Sequence, residues 1–155
     1  FIPDWLARRA FPAATLDAIE AAIRHSETCH DGELRFAIEA GLHPAFVWRN
    51  HSPRERAVEV FSTLRVWDTA HNSGVLIYVQ LVDRAIEIVA DRGIAARVPQ
   101  VEWDNICRRM GEAFRRGAHR EGAVAAIAEI TELLAAHFPS GAVNPDELPD
   151  RPAVL

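Results

Sequence analysis

Residues 74–90 read GVLIYVQLVDRAIEIVA, and this stretch decides the fold. VLIYV at 75–79 is continuously apolar and rich in β-branched residues, the composition of a central strand covered on both faces. Helices must therefore lie on both sides of the sheet. Val82-Asp83-Arg84-Ala85 is short and polar enough for a hairpin connection, and Ile86 and Ile88 then alternate with Glu87. A third strand therefore pairs antiparallel with this central one.

Upstream, HDGELRFAIEA at 30–40 has period two, with Leu34, Phe36, Ile38 and Ala40 on one face and Glu33, Arg35 and Glu39 on the other, which predicts a half-buried or edge strand. Leu16, Ile19 and Ile23 recur at helical spacing between Pro12 and about Cys29. GLHPAFVWRNH at 41–51 has no regular period and reads as an aromatic loop that folds back as a lid. Ser52-Pro53-Arg54-Glu55 is a capping box with Pro at the first helical position. The helix it opens is expected to bury Val58, Phe61 and Leu64 and to end near Trp67. Downstream, Pro99 starts a helix with Trp103, Ile106, Met110 and Phe114 inward and Gly117 as its C-terminal cap. A last helix runs from about Arg120 to Phe138 over Ile127, Ile130 and Leu134, and Pro139-Ser140-Gly141 stops it. NPDELPDRPAVL at 144–155 reads as extended or disordered chain. The first two strands, joined through a helix, should be parallel with a right-handed crossover. The sum is a three-layer α/β/α sandwich with a small mixed β-sheet: domain 12–139, an N-terminal extension 1–11 and a Pro-rich tail 140–155.

At 155 residues and 49% hydrophobic composition, one globular domain is expected. Net charge is −5 with no basic block, which argues against nucleic acid as a partner. All 17 cationic side chains are Arg, so a Schiff-base lysine and a P-loop are excluded. Cys29 and Cys107 fit no metal or redox spacing and read as free thiols. No apolar run is long enough to span a bilayer and residues 1–12 have no signal-peptide core, which points to a soluble, cytoplasmic chain. It begins at Phe1 without Met, as expected of a fragment or processed form.

Chemistry is expected where the hairpin brings the start of the central strand and the end of the next to one sheet edge. The 68–74 loop and Asp91-Arg92-Gly93 become neighbours there, and the junction around Glu121 joins them if the third helix packs back across the sheet. Asp68, Thr69, Asn72, Asp91 and Glu121 would then offer hard oxygen ligands to Ca²⁺ or Mg²⁺. Against this stands ordinary turn chemistry, with Asn-Ser-Gly preceding a strand and Asp68 or Thr69 as a cap, and this takes precedence. His71, alone in its loop, reads as solvated. His25, Glu27, Cys29, His30, Asp31 and Glu33 span a helix end, a turn and a strand start, and read as a solvated helix terminus with the two histidines near the negative end of the dipole. No nucleophile-base-oxyanion arrangement accompanies Cys29 or Ser73. Arg108, Arg109, Arg115 and Arg116 read as the solvent face of the third helix, or as a grip for an anionic partner.

Thr69, HNSGVLIYV at 71–79, DRGI at 91–94, Trp103, Phe114, Glu121-Gly122, Phe138-Pro139 and DELPD at 146–150 together resemble the TPM-domain family, closest to its short stand-alone bacterial members. The resemblance implies an α/β/α fold in which Thr69, Gly74, Gly93, Trp103 and Gly122 are structural. For separate branches it implies acid phosphatase activity, Ca²⁺ binding, or accessory roles in membrane complexes. Against the family's usual Asp-Asn-Gly, Asn72-Ser73-Gly74 lacks one acid, and Arg120-Glu121-Gly122 stands where the family has Asp before Gly. Asn72, Asp91 and Glu121 are thus the implied metal set, with Asp68 and His71 as candidate proton-transfer groups. With that set depleted, the expected function is a non-catalytic accessory or interaction domain, associated with a membrane complex through a protein partner. A divalent-metal-dependent phosphomonoesterase is the alternative. The tail and the loop carrying Phe46 and Trp48 are the candidate partner surfaces.

Overall fold

The computed structural model describes residues 5–41, 51–141 and 146–155. In chain order the elements are α1 (Trp5–Ala10), α2 (Ala13–Ser26), β1 (Glu33–Glu39), α3 (Pro53–Thr63), β2 (Gly74–Gln80), β3 (Ala85–Ala90), α4 (Arg92–Ala95), α5 (Gln100–Arg115), α6 (His119–His137) and β4 (Ala153–Val154). The sheet order is β3-β2-β1-β4. β1 and β2 are parallel, with Glu33 opposite Gly74 and Glu39 opposite Gln80, while β3 returns antiparallel to β2.

Every residue of β2 is buried, as its unbroken apolar run requires. Leu34, Phe36 and Ile38 of β1, with Val75, Ile77 and Val79 of β2, face a core built with α2, α5 and α6. The opposite sheet face, with Ala37, Leu76, Tyr78 and Val89, packs on Ala57, Val60 and Phe61 of α3 and on Leu148. Helical layers thus cover both faces of a small mixed sheet, the expected α/β/α sandwich.

Several local expectations change. β1 is neither half-buried nor an edge: β4 pairs parallel with its free side, and Glu33 and Glu39 on its polar face are only 1% and 7% exposed. Its alternation misleads because both acids are covered: Glu39 lies against Arg56 of α3 and Glu33 beneath the C-terminal segment, where it accepts the Glu147 N–H. In α3, Ser52 Oγ accepts the Glu55 N–H at 3.1 Å as the capping box predicts. The buried stripe, however, is Ala57, Val60 and Phe61, and Val58 is exposed. This rotation points Arg56 at Glu39, so a buried ion pair and not hydrophobicity alone orients the helix. β3 stops at Ala90, because Asp91 caps the short α4 by accepting the Arg92 N–H. Residues 1–11, read as an extension, contain α1, and Ala7 and Phe11 enter the core. The lid expected at 41–51, with Phe46 and Trp48, falls largely on residues 42–50, outside the described residues.

Candidate functional site

The turn before β2 and the end of β3 meet as expected. The Asn72 carbonyl accepts the Gly93 N–H at 3.1 Å, and the Gly74 carbonyl accepts the Asp91 N–H at 2.8 Å. The polar groups are mostly used in building that junction. Thr69 Oγ1 accepts the Ser73 N–H, and Asn72 holds φ +53°, a left-handed conformation Asn tolerates. A Cβ on Gly74 would lie 2.1 Å from the Val66 carbonyl oxygen, and one on Gly93 2.6 Å from that of Asn72, so both positions admit only glycine without backbone movement. Asp68 forms an exposed pair with Arg65, and His71 is exposed. One oxygen of Asp91 caps α4; the other is buried without a partner.

Glu121 does not reach this edge. α5 leaves the end of β3 and runs back, so its last turns, with Gly111, Phe114 and Arg115, meet the end of β2 and the start of β3. Glu121 follows that junction, in a groove beside Arg109 and Arg116. Asn72 and Asp91 are therefore neighbours without their third ligand. Gly122 and Trp103 are packing residues: a Cβ at 122 would lie 2.7 Å from Ala113 Cβ where α6 crosses α5, and Trp103 is 1% exposed. Of the Arg face on α5, Arg109 pairs with Glu129 at 2.6 Å and Arg108 with Glu112.

A different constellation gathers at the same end of the sheet. Glu27, the C-cap of α2, accepts the Leu34 N–H at 2.9 Å. Glu33, the first residue of β1, accepts the Glu147 N–H at 3.0 Å through Oε1, while its Oε2 is buried without a hydrogen-bond partner. Buried Leu148 anchors the segment that carries Asp146, Glu147 and Asp150. Ligand atoms of Glu27, Asp146 and Asp150 all lie within 4.8 Å of one another. Arg24 Nε approaches Asp150 only to 3.8 Å. Burial, then the Glu33 and Asp150 carboxyls, push Glu27 far above the usual carboxylate range. Burial likewise raises Glu33, and burial with Asp150 raises Asp146. Carboxylates converging this way hold protons or a cation between them. Glu147 links the cluster to the turn, since its Oε2 accepts the Ala70 N–H at 3.0 Å.

The helix-end group read as solvated splits in two. His30 is fully buried: Nδ1 accepts the Gly32 N–H, and Nε2 contacts Ser26 Oγ at 2.9 Å, which in turn meets Thr131 Oγ1. Burial pushes this imidazole down to about 4. The sequence pattern misses this because the partner Thr131 comes from α6, a hundred residues away. Cys29 and Cys107 are free, and burial pushes the Cys107 thiol up to about 12, far from nucleophilic. At the carboxyl end of β1, Arg56 grips Glu39 with two hydrogen bonds of 2.9 and 2.7 Å, and the Tyr78 hydroxyl donates to the same carboxylate at 2.6 Å.

The acidic cluster escapes the sequence pattern because its members fall in three separate stretches: helix terminus, polar strand face and tail. DELPD carried a usable signal, since Asp146 and Asp150 bracket an apolar Leu148 that a disordered tail would not need.

The layered fold and this carboxylate-rich sheet edge define a mixed α/β domain of small size, built around one parallel strand pair. The TPM domain profile matches residues 8–133, and the chain belongs to the TPM-domain family. The solution structure of the BA42 protein from the psychrophilic bacterium Bizionia argentinensis is similar over 94% of this chain and 95% of its own, at 30% identity and TM-score 0.82. The N-terminal domain of a P. gingivalis protein shares the fold, with TM-score 0.65 and 15% identity over 92% of this chain and 95% of its own. No curated protein matches the sequence. No helix among the described residues is long and apolar enough to cross a membrane.

Proposed function

We infer that this TPM domain is a non-catalytic accessory module whose acidic end takes a divalent cation and thereby fixes the C-terminal segment against α2 and β1. The observation that carries this reading is the convergence of Glu27, Asp146 and Asp150 oxygens within 4.8 Å of one another, from elements far apart in sequence. A donor set made only of carboxylate oxygen suits a hard cation, and its irregular origin in a helix end and a loop suits Ca²⁺ better than Mg²⁺, which demands near-octahedral geometry. Glu33 Oε2, buried and without a hydrogen-bond partner, adds a further oxygen beside Glu27. A bound cation would neutralise the repulsion that these carboxyls otherwise relieve by keeping protons.

Thermal denaturation with Ca²⁺, Mg²⁺ and Mn²⁺ tests the site. The wild type gains stability with Ca²⁺ and Asp150→Asn loses most of that gain; equal shifts in both proteins, or none in the wild type, would overturn it. The role of the bound domain is then to present an ordered surface to a protein partner, in keeping with the accessory reading.

Metal-assisted phosphomonoester hydrolysis is the second reading. It draws on the Ala70 N–H bound to Glu147, which sets the turn bearing Asp68 and His71 beside the carboxylates. A cation there would polarise a phosphoryl oxygen, and His71 or Asp68 would move a proton. We expect no turnover of p-nitrophenyl phosphate with any of the three cations. Turnover that depends on the cation and disappears in Asp150→Asn and in His71→Ala would replace the accessory role with this one.

A further inference from the structure

The far end of the sheet holds a cavity of about 250 Å³ where β2 turns into β3 beneath the α5–α6 junction. Val79, Leu81, Ile86 and Phe114 line it beside Gln80, and its rim carries Arg84, Arg115 and His119. No carboxylate lines it among the described residues. Two of the three rim groups are guanidinium cations, in a chain whose net charge is −5.

Both arginines are exposed. Neither makes an ion pair or a side-chain hydrogen bond among the described residues, a state shared with Arg8, Arg9, Arg92, Arg116 and Arg120 and unlike that of Arg56, Arg65, Arg109 and Arg151. Arg115 lies in the last turn of α5, where the helix dipole favours a cation. Arg84 has no such support. It occupies the hairpin at φ +52°, a left-handed position ordinarily given to Gly or Asn. His119 is held in place, stacked on Phe114 at 4.8 Å between ring centroids and meeting Phe11 edge-on at 5.3 Å. A fixed imidazole and two guanidinium groups with no acid partner among the described residues thus surround the mouth of the hollow.

We propose that this cavity binds a small amphiphilic anion, its phosphate or carboxylate head held by Arg84, Arg115 and His119 and its short apolar body laid against Leu81, Ile86 and Phe114. Arg forks match both head groups. The volume lies just below the roughly 300–1,000 Å³ of clefts that hold drug-sized ligands, which limits the guest to a few carbons beyond its head. The place fits the general habit of open α/β sheets, whose ligands lie outside the carboxyl ends of parallel strands, here the end of β2. The site is independent of the acidic cluster and of any cation there.

Gly111 makes a clean test. It lines the cavity within α5, and a Cβ added to it meets only the Ile86 Cδ1 at 3.8 Å and an Arg115 nitrogen at 4.0 Å, which is ordinary contact. Gly111→Leu therefore fills the hollow while improving helix propensity. The probes are hexyl phosphate, hexanoate, inorganic phosphate and hexylammonium, each titrated at millimolar concentration into ¹⁵N-labelled protein. Hexyl phosphate or hexanoate should shift amides in 79–86 and 111–119, inorganic phosphate should bind more weakly, and hexylammonium should not bind. Gly111→Leu should abolish binding without lowering the melting temperature. The double variant Arg84→Gln/Arg115→Gln, changed only at exposed side chains, should weaken it about tenfold or more. Hexylammonium binding as well as the anions, inorganic phosphate binding as tightly as hexyl phosphate, undiminished affinity in either variant, or no shift with any probe would overturn the proposal. Sedimentation with phosphatidylglycerol vesicles that persists in Gly111→Leu would also overturn it, assigning the basic rim to a membrane surface.

Discussion

Glu33 and Glu39 stand at opposite ends of the same strand, on the same face, and are nearly equally buried, yet their surroundings give them opposite chemistry. Burial alone would raise both. At Glu39, two hydrogen bonds from Arg56 and one from Tyr78 outweigh burial and hold the carboxyl below its usual range. At Glu33, the neighbours are Glu27, Asp146 and Glu147, and the carboxyl is pushed up. A buried acid with a matching cation from its own chain is a structural clamp. A buried acid among other acids has no such clamp, and this difference separates the two ends of β1.

The largest effect should come from unmaking the clamp. Arg56→Ala leaves Glu39 buried and uncompensated, a loss on the order of 3–5 kcal/mol in urea denaturation. Glu33→Gln at the other end should have the opposite sign. The amide oxygen still accepts the Glu147 N–H and one like charge is gone, so cation-free protein at neutral pH should be as stable or more so. If Glu33→Gln destabilises as Arg56→Ala does, the two ends are not different in kind.

Next comes the response to pH and cation. Glu27 and Glu33 titrate higher folded than unfolded, so their contribution is fully present below about pH 4.5 and is lost as pH rises from there towards neutrality and beyond. His30 works the other way: pushed down to about 4, it favours the folded state above about 6.5 and that support is lost as pH falls towards 4. Ca²⁺ should therefore stabilise at pH 8, by about 2.7 kcal/mol at 100 times its Kd, and have almost no effect at pH 4.5, where protons occupy the carboxyls. A shift of equal size at both pH values would place the ion elsewhere.

The glycines sharpen the comparison by their space. Gly74→Ala, forced against the Val66 carbonyl at the acidic end, should cost about 1–3 kcal/mol or more. Gly111→Ala, beside the open cavity, should gain up to about 1 kcal/mol through helix propensity. Opposite shifts in denaturation midpoint are the expected outcome.

The layers and the sheet were legible because β2 announces itself: seven buried residues in a row leave no alternative to cover on both sides. The parallel partner and the hairpin followed from periodicity and turn length. What stayed hidden depends on contacts that periodicity does not encode. Arg56 turned α3 by one residue from its most apolar face, and Thr131 and Ser26 buried a histidine that local polarity placed in water. The site suffered most. Asn72 and Asp91 were correctly placed beside each other, but Glu121 was carried by the length of α5 to the opposite end. The tail, read for its prolines, brought Asp146 and Asp150 to Glu27 instead.

The smallest effect is expected at Asp68, in the polar turn before β2. Asp68 pairs with Arg65 at 2.9 Å, but both side chains are more than half exposed, and water and salt screen such a pair. Asp68→Ala should change stability by less than about 0.5 kcal/mol and leave the Ca²⁺ response intact. Thr69→Val, a neighbour of similar size, removes the hydroxyl that accepts the Ser73 N–H and should cost more, about 1 kcal/mol. If the order is reversed, or if Asp68→Ala removes the Ca²⁺ response, the polar cluster before β2 belongs to the ion site. If it holds, that cluster is the hinge pin of a turn, and the carboxylates a few residues away in space are the chemistry it supports.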